Sequence, residues 1–582
     1  MDVIAQAGGH SSMADSGKST LHQAMGKLRR HWLAVVLFSV CVNMLLLVSP
    51  IYMLQVYDRV LSSGSYDTLV LLSVMAIGLL LVYGAAEGGR RRVLALMGNQ
   101  LNNQLNARTF QSGIRAESGS GQLERSVTDL GRVQGFLING TVQPLLDLPF
   151  VPLFIGLVFL IHPALGALGL LGALLLLTLA ILTEKLSRST LADALQREQV
   201  SNNFLSGVSR QHAAIVSMGM FDRVQSRWTD MRSSAVSGSL DAMNKMAFLS
   251  AFSKSLRQIL QVGVLALGAY LALQQLISPG AIIASSIILG RGLAPIDQIV
   301  SMWRQIIQVR ASWNNLNEQL QESENTNASV ALPRPASFLE ISNLMTGFPG
   351  AEEAISPQFS LNVEAGEVLL VLGASGGGKT SFLQTISGAW RPFKGKVSLG
   401  GRPLHDWAVE DRGKYIGYLP QNIELLPGTI AENIARFNYS SEEKIFVAAR
   451  LSGAHEMILG LKDGYDTLLG PGGAHLSAGQ LQSIGITRAI YNLPAAVFLD
   501  EPTANLDAKA TARLLKMLLQ IKKAGGLAVV ATHDLRLLNV ATNVLTFQKD
   551  QVRLKSQAQA MNILSDTARV ARDSKQLRRA SQ

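Results

Sequence analysis

The run from Trp32 to Tyr57 carries no Asp, Glu, Lys or Arg, and neither does the run from Thr68 to Ala86. About 20 predominantly apolar residues suffice to cross the hydrocarbon core of a bilayer as a helix, the fold in which backbone at that depth satisfies its own hydrogen bonds. Both runs are therefore read as spans. A third and a fourth share the apolar tract Leu148 to Thr183, which breaks at His162-Pro163, with the third beginning ahead of Asp147. Gln258 to Ile277 reads as a fifth, turning at Ser278-Pro279-Gly280, and Ala281 to Trp303 as a sixth, interrupted by Arg291 and Asp297. Charged residues make up 16% of the chain, against ~25% in soluble proteins, and the deficit lies before about residue 305. At 582 residues the chain exceeds one compact core, so further domains are expected.

Basic residues are distributed asymmetrically. Arg90-Arg91-Arg92, Arg108, Arg115, Arg125 and Arg132 follow the second span, and Lys185, Arg188, Arg197, Arg210, Arg223, Arg227, Arg232 and Lys245 follow the fourth. The three connections on the other side hold only Arg59. By the positive-inside rule, both termini and both long connections are cytoplasmic, and the long connections predict helices that continue well beyond the lipid bilayer. The net charge of +11 is explained in the same way, so nucleic acid is not expected as a partner. Arg291 and Asp297 are costly in lipid and are expected to face the bundle interior or a dimer interface, the alternative being a structural ion pair or snorkelling. Cys41, the only cysteine, cannot form an intrachain disulfide. Residues 1–30 are polar to Lys27-Leu28-Arg29-Arg30 and do not read as a cleavable signal.

The second half carries Gly373-Ala374-Ser375-Gly376-Gly377-Gly378-Lys379-Thr380-Ser381, which fits G-x-x-x-x-G-K-[ST]. An apolar run, Val368 to Leu372, precedes it as a strand, and Phe382 to Ile386 follows as a helix. At such a turn the glycines let backbone N–H groups wrap phosphate oxygens, Lys379 reaches the β- and γ-phosphates, and the Thr380 hydroxyl ligates Mg²⁺. Downstream, Ala495 to Leu499 reads as a buried strand ending in Asp500-Glu501. Asp500 is expected at the C-terminal edge of a parallel sheet, supporting Mg²⁺, and Glu501 beside it to orient or deprotonate the attacking water. Together these predict an α/β P-loop nucleotide-binding domain over 338–552, joined through a linker at 322–337 to a helical membrane domain over 31–321 and followed by a basic tail at 553–582.

Leu476-Ser477-Ala478-Gly479-Gln480, about 20 residues before Asp500, resembles the signature motif of ATP-binding cassette proteins. Gln421 resembles their glutamine loop, Ala504-Asn505-Leu506-Asp507 their D-loop, and His533 their switch histidine, while Phe348 stands where an aromatic commonly stacks on adenine. The resemblance implies a type I ABC exporter fold working as a homodimer, in which two ATP molecules each lie between the P-loop of one copy and Ser477, Gly479 and Gln480 of the other. It assigns Glu501, His533 and Gln421 to catalysis, Thr380, Gln421 and Asp500 to the metal, Asp507 to the D-loop, and Gly373, Ser375, Gly376, Gly377, Gly378, Lys379, Thr380, Ser381 and Phe348 to ATP. Ala478, Leu481, Ser483 and Pro471 depart from the usual pattern, but the residues that the chemistry requires are present, so hydrolysis is expected.

Ser49 to Val60, Asp147-Leu148-Pro149, Met218-Gly219-Met220, Leu289-Gly290-Arg291 and the stretches Ile416 to Gln421 and Gly428 to Phe437 closely resemble type I secretion ATPases of the protease/lipase exporter branch. That resemblance implies export of an unfolded polypeptide bearing a C-terminal signal, from the inner membrane of a Gram-negative cell, with a periplasmic adaptor and an outer-membrane channel as partners. Residues 1–30 are short for the peptidase-like domain of some relatives, so leader cleavage is not expected. Because the architecture does not dictate cargo, export of lipid or small hydrophobic molecules stays open.

Overall fold

The computed structural model describes residues 20–115, 121–324, 334–374, 376–438, 441–470, 473–548 and 551–562. The chain divides into two compact units, with the boundary between Glu322 and Ser323.

The first unit is helical, and among the described residues six helical segments are long and apolar enough to cross a membrane: Arg29–Ser63, Tyr66–Ile114, Gln143–Ile161, Pro163–Leu186, Phe221–Leu273 and Pro279–Ser301. The helix Tyr66–Arg115 has 50 residues and Phe221–Leu273 has 53. At 1.5 Å per residue each is roughly 75–80 Å long, more than twice a hydrocarbon core. These helices thus carry the polar connections as their own extensions, as the long basic segments predict. Two spans differ from the sequence reading. The first is interrupted at Leu46–Leu47 and ends in a wider turn at Val56–Val60. The fifth stops at Leu273, before the expected Ile277, because Gln275 adopts a positive φ of 58° that a continuing helix cannot hold.

Polar side chains fix these helices to one another. Arg90, inside the basic triplet, is buried, and its guanidinium pairs with Asp147 Oδ1 at 2.7 Å and Glu87 Oε2 at 2.7 Å, while Asn43 Nδ2 donates to Asp147 Oδ1 at 2.8 Å. Asp58, between the first two spans, accepts from Ser278 Oγ at 2.5 Å and from the Gly280 N–H at 2.8 Å, holding the start of the sixth. Asp297 is buried and faces Arg257 of the fifth span at 3.5 Å, whereas Arg291 is exposed on the unit's surface. Arg291 therefore does not face this bundle's own interior. Asp297 lies six positions further on, and at 100° per residue that spacing sets the two about 120° apart around one helix.

The second unit contains a four-stranded antiparallel sheet in the order β2-β1-β4-β5, with β1 Leu339–Met345, β2 Phe359–Val363, β4 Lys394–Leu399 and β5 Arg402–Pro403. The two-residue strands β7 Gly428–Thr429 and β8 Leu468–Leu469 pair with each other. The six-stranded sheet runs β12-β11-β3-β10-β9-β6, with β3 Val368–Gly373, β6 Ile416–Leu419, β9 Ala496–Asp500, β10 Leu527–Ala531, β11 Asn543–Gln548 and β12 Gln551–Ser556. All its neighbours are parallel except β11 and β12. Its central strands are buried on both faces. Val368, Leu370, Val497, Leu499, Ala528 and Val530 enter one core, and Leu369, Val371, Ala496, Phe498, Leu527 and Val529 the other, the period-two division of a covered parallel sheet. The strand β12 carries the sheet to Ser556, past residue 552 where the nucleotide domain was expected to end, because its backbone pairs with β11 and Val552 packs on the second core. Of the expected basic tail, residues 563–582 lie outside the described residues.

Candidate nucleotide site

Three parallel strands end at the same edge. Gly373 closes β3, Asp500 closes β9 opposite Ala531, and Ala531 closes β10, so the phosphate loop, the paired carboxylates and His533 meet there.

The loop turns through Gly376 and Gly378, both at positive φ (78° and 92°), where a Cβ would be strained. At Gly373 a Cβ would also sit 2.7 Å from the Phe547 carbonyl oxygen. The loop feeds the helix Lys379–Ile386, anchored from beneath by Phe382, which is fully buried against Phe359 and Phe547. Ser381 is buried in the same helix, Thr380 is half-buried, and Ser375 lies outside the described residues.

The Lys379 ammonium donates to the carbonyls of Gly373 at 2.8 Å and Ala374 at 3.1 Å and stands 3.1 Å from His533 Nε2. Burial pushes its pKa below the ordinary lysine value, against the pull of Glu501 and then Asp500. Burial likewise pushes the Asp500 carboxyl above its ordinary range, opposed by the Thr380 hydroxyl and Lys379 and reinforced by Glu501. Both Asp500 oxygens are buried, without a partner at normal hydrogen-bond geometry among the described residues. A buried, unpaired carboxylate beside a threonine hydroxyl is a donor set of hard oxygens, which fits Mg²⁺ held by one carboxylate, one hydroxyl and nucleotide phosphates. Such an ion would neutralise charge on the phosphates, and Thr380 and Asp500 are the side chains placed to hold it.

Glu501 adopts a positive φ of 48°, unusual for a residue with a Cβ, with its N–H bound to the Ala531 carbonyl at 2.8 Å. This turns the side chain toward His533, whose Nε2 is 3.3 Å from Glu501 Oε1. Gln421 is exposed beyond the end of β6, without a hydrogen bond among the described residues, and Phe348 is exposed with its ring 5.8 Å from that of Trp390.

Ser477 and Gln480 form a capping box at the start of the helix Ala478–Ile490, the Ser477 N–H donating to Gln480 Oε1 at 2.8 Å and the Gln480 N–H to Ser477 Oγ at 3.3 Å. A Cβ at Gly479 would meet the Asn505 carbonyl oxygen at 3.0 Å, so this glycine brings the helix against the loop that follows Glu501. Asp507 N-caps the helix Ala508–Lys523 through the Ala510 N–H at 2.6 Å. Pro471 lies outside the described residues.

Two residues beside the candidate site went unrecognised in the sequence. Gln482 is buried and donates to the carbonyls of Glu501 at 3.3 Å and Pro502 at 3.1 Å, joining the signature helix to the carboxylate loop. Its only sequence signal is a polar residue on the apolar face of that helix. Tyr418, on β6, has its hydroxyl pushed up to about 12 by burial and the Asp500 charge, and only the register of β6 against β9 reveals the pair as neighbours.

A P-loop, paired carboxylates and a histidine on one sheet edge, in a chain with six apolar helices, define an ATP-binding transporter. Residues 357–504 match the ABC transporter family and residues 32–291 the ABC transporter transmembrane region. The type I secretion system ATP-binding protein PrsD of Rhizobium meliloti (strain 1021) is 35% identical over 88% of this chain and 88% of its own. The alpha-hemolysin translocation ATP-binding protein HlyB of Escherichia coli is 26% identical, and the leukotoxin export ATP-binding protein LtxB of Aggregatibacter actinomycetemcomitans 27%, each over 91% of this chain and 76% of its own. A bacterial Atm1-family ABC exporter with ATP bound shares the fold, with a TM-score of 0.75 at 18% identity over 92% of this chain and 96% of that one. The chain thus belongs to the ABC transporters and, within them, to the type I secretion ATP-binding proteins, and it couples ATP hydrolysis to transport.

Proposed function

We propose that the chain exports an unfolded polypeptide bearing a C-terminal secretion signal. It works as a homodimer in the inner membrane of a Gram-negative cell, with its termini and nucleotide domain cytoplasmic, and passes cargo to a periplasmic adaptor and an outer-membrane channel. The similarity to PrsD, which runs through both the membrane region and the ATPase, carries this reading. Residues 31–321 serve as the membrane domain, 322–337 as the linker and 338–552 as the nucleotide domain.

Each of two equivalent sites takes ATP on Gly373, Ser375, Gly376, Gly377, Gly378, Lys379, Thr380 and Ser381, with adenine on Phe348. Ser477, Gly479 and Gln480 of the second copy close over the γ-phosphate, the helix N-terminus presenting N–H donors to it, and Asp507 lies in the D-loop between the copies. Thr380, Gln421 and Asp500 hold Mg²⁺, Glu501 orients and deprotonates water, and His533 holds the γ-phosphate. Closure depends on contacts that hydrolysis removes, which gives ATP and ADP states the unequal affinities that a transport cycle needs.

The experiment compares the extracellular proteome of cells carrying the wild-type chain with that of cells carrying Glu501→Gln at equal abundance, in a strain lacking the chromosomal copy. A protein lost from the medium and retained inside supports polypeptide export and identifies the cargo. An unchanged proteome overturns it and directs attention to membrane lipids.

A further inference from the structure

Four buried oxygens beside the P-loop helix have no partner at normal hydrogen-bond geometry among the described residues: both of the Asp500 carboxylate, the Tyr418 hydroxyl and Gln384 Oε1. The fold brings them together. Tyr418 stands opposite Phe498 where β6 runs beside β9, and side chains two apart on a strand share a face, so Tyr418, Phe498 and Asp500 lie on one side of the sheet. The P-loop helix Lys379–Ile386 covers that side. Its Phe382, Leu383 and Ile386 share a core with Phe498, and Tyr418 packs against the same core. Gln384 follows Thr380 by one helical turn, on the face that also carries the Thr380 hydroxyl. The upward shift of the Tyr418 hydroxyl comes from burial and then from the Asp500 charge, with Gln384 acting in the opposite direction, so the three groups are within electrostatic reach of one another.

Their hydrogen-bonding roles are complementary. A carboxylate and an amide oxygen only accept, whereas a phenol donates. One water that accepts from Tyr418 and donates to Asp500 and Gln384 makes three hydrogen bonds, the usual number for a buried water among groups otherwise unpaired. It engages one Asp500 oxygen and leaves the other for the metal. Partners of this kind, one layer out from a metal, fix the orientation of the group that holds it.

We propose that Tyr418 is a positioning residue for the metal site, holding the Asp500 carboxylate toward Mg²⁺ through a buried water shared with Gln384. This rests on the reading of Asp500 as a support of Mg²⁺, and it does not depend on which cargo is exported.

The test uses the full chain in detergent, with Glu501→Gln as the background so that no ATP is turned over. Mn²⁺ replaces Mg²⁺, ATP is kept below the protein concentration and fully bound, and free Mn²⁺ is read from its electron paramagnetic resonance signal. Tyr418→Phe raises the Kd for Mn²⁺ roughly tenfold, the lower end of the range for such partners, and leaves ATP affinity in EDTA unchanged. Combined with Asp500→Asn it adds nothing further, because the hydroxyl acts through that carboxylate. An unchanged Kd for Mn²⁺ in Tyr418→Phe overturns the proposal, and so does an equal loss of ATP affinity in EDTA, the mark of a packing defect. A loss of the same size in the Asp500→Asn background also overturns it. If Asp500→Asn binds Mn²⁺ as tightly as its parent, the assignment of the metal to Asp500 fails first, and this proposal with it.

Discussion

His533 Nε2 lies 3.3 Å from Glu501 Oε1 and, on its other side, 3.1 Å from Lys379 Nζ. One ring nitrogen thus joins the ends of three strands. With Nε2 unprotonated it accepts from Lys379, and with Nε2 protonated it donates to Glu501. The carboxylate is held by its backbone at a positive φ, and the proposed function makes it the base. Glu501→Gln keeps the shape and removes the basicity, so hydrolysis is lost while ATP affinity stays close to wild type. Phosphate release and nucleotide binding, measured on the same preparation, check this. Turnover equal to wild type would remove Glu501 from the chemistry.

Gln482 reaches the half-buried Glu501 carbonyl and the buried Pro502 carbonyl from the signature helix. Gln482→Leu leaves the buried Pro502 carbonyl without a donor, at a cost of ~1–3 kcal/mol, the usual penalty for a buried polar group left unpaired, whereas the Glu501 carbonyl keeps the Ala504 N–H at 3.1 Å. Thermal unfolding shifts downward and hydrolysis slows, because the carboxylate loop loses its brace while the P-loop is untouched. An unchanged melting temperature and rate would show that the contact does not brace Glu501.

The nucleotide site was largely legible in the sequence because each element is local. The P-loop glycines, Asp500-Glu501 and Ser477 to Gln480 are contiguous stretches, and the first two meet His533 at one edge because their strands run parallel and end together. The first two spans were legible from charge-free length, and the third and sixth from apolar length despite Asp147, Arg291 and Asp297. What stayed hidden was pairing between distant segments. Arg90 reads as one member of a basic triplet, yet it is buried against Asp147. Asp297 has Arg257 as its partner rather than Arg291, and Asp58 holds the sixth span through Ser278 and Gly280. Helical periodicity gives each helix a face but does not say which neighbour that face meets.

The Arg90 network gives a stability prediction. Removing one partner of a buried ion pair strands the other, which costs about 3–5 kcal/mol, whereas replacing the whole pair with apolar side chains is often neutral. Arg90→Met leaves Asp147 and Glu87 without their shared cation and lowers the thermal midpoint in detergent. The double variant Arg90→Met with Asp147→Leu recovers most of the loss, since Glu87 keeps Arg91 at 2.8 Å and Gln143 at 3.2 Å. If Arg90→Met melts within ~1 kcal/mol of wild type, the network carries little of the energy that its burial implies.

The lowered pKa of Lys379 predicts how ATP binding responds to pH. Burial favours the neutral amine, so in the nucleotide-free protein the proton leaves below the ordinary lysine value of 10.5. Phosphates in contact with the ammonium favour the charged form and raise that pKa on binding. Binding then takes up a proton whenever Lys379 is neutral beforehand, so affinity is flat below the free-protein pKa and falls as pH rises through it. Lys379→Arg replaces the ammonium with a group that keeps its charge throughout. Nucleotide titrations from about pH 7 to about pH 10, with Glu501→Gln as the background to prevent turnover, should show the decline in the Lys379 protein and its absence in Lys379→Arg. A parallel decline in both would assign the proton to another group and leave the burial of Lys379 without consequence for binding.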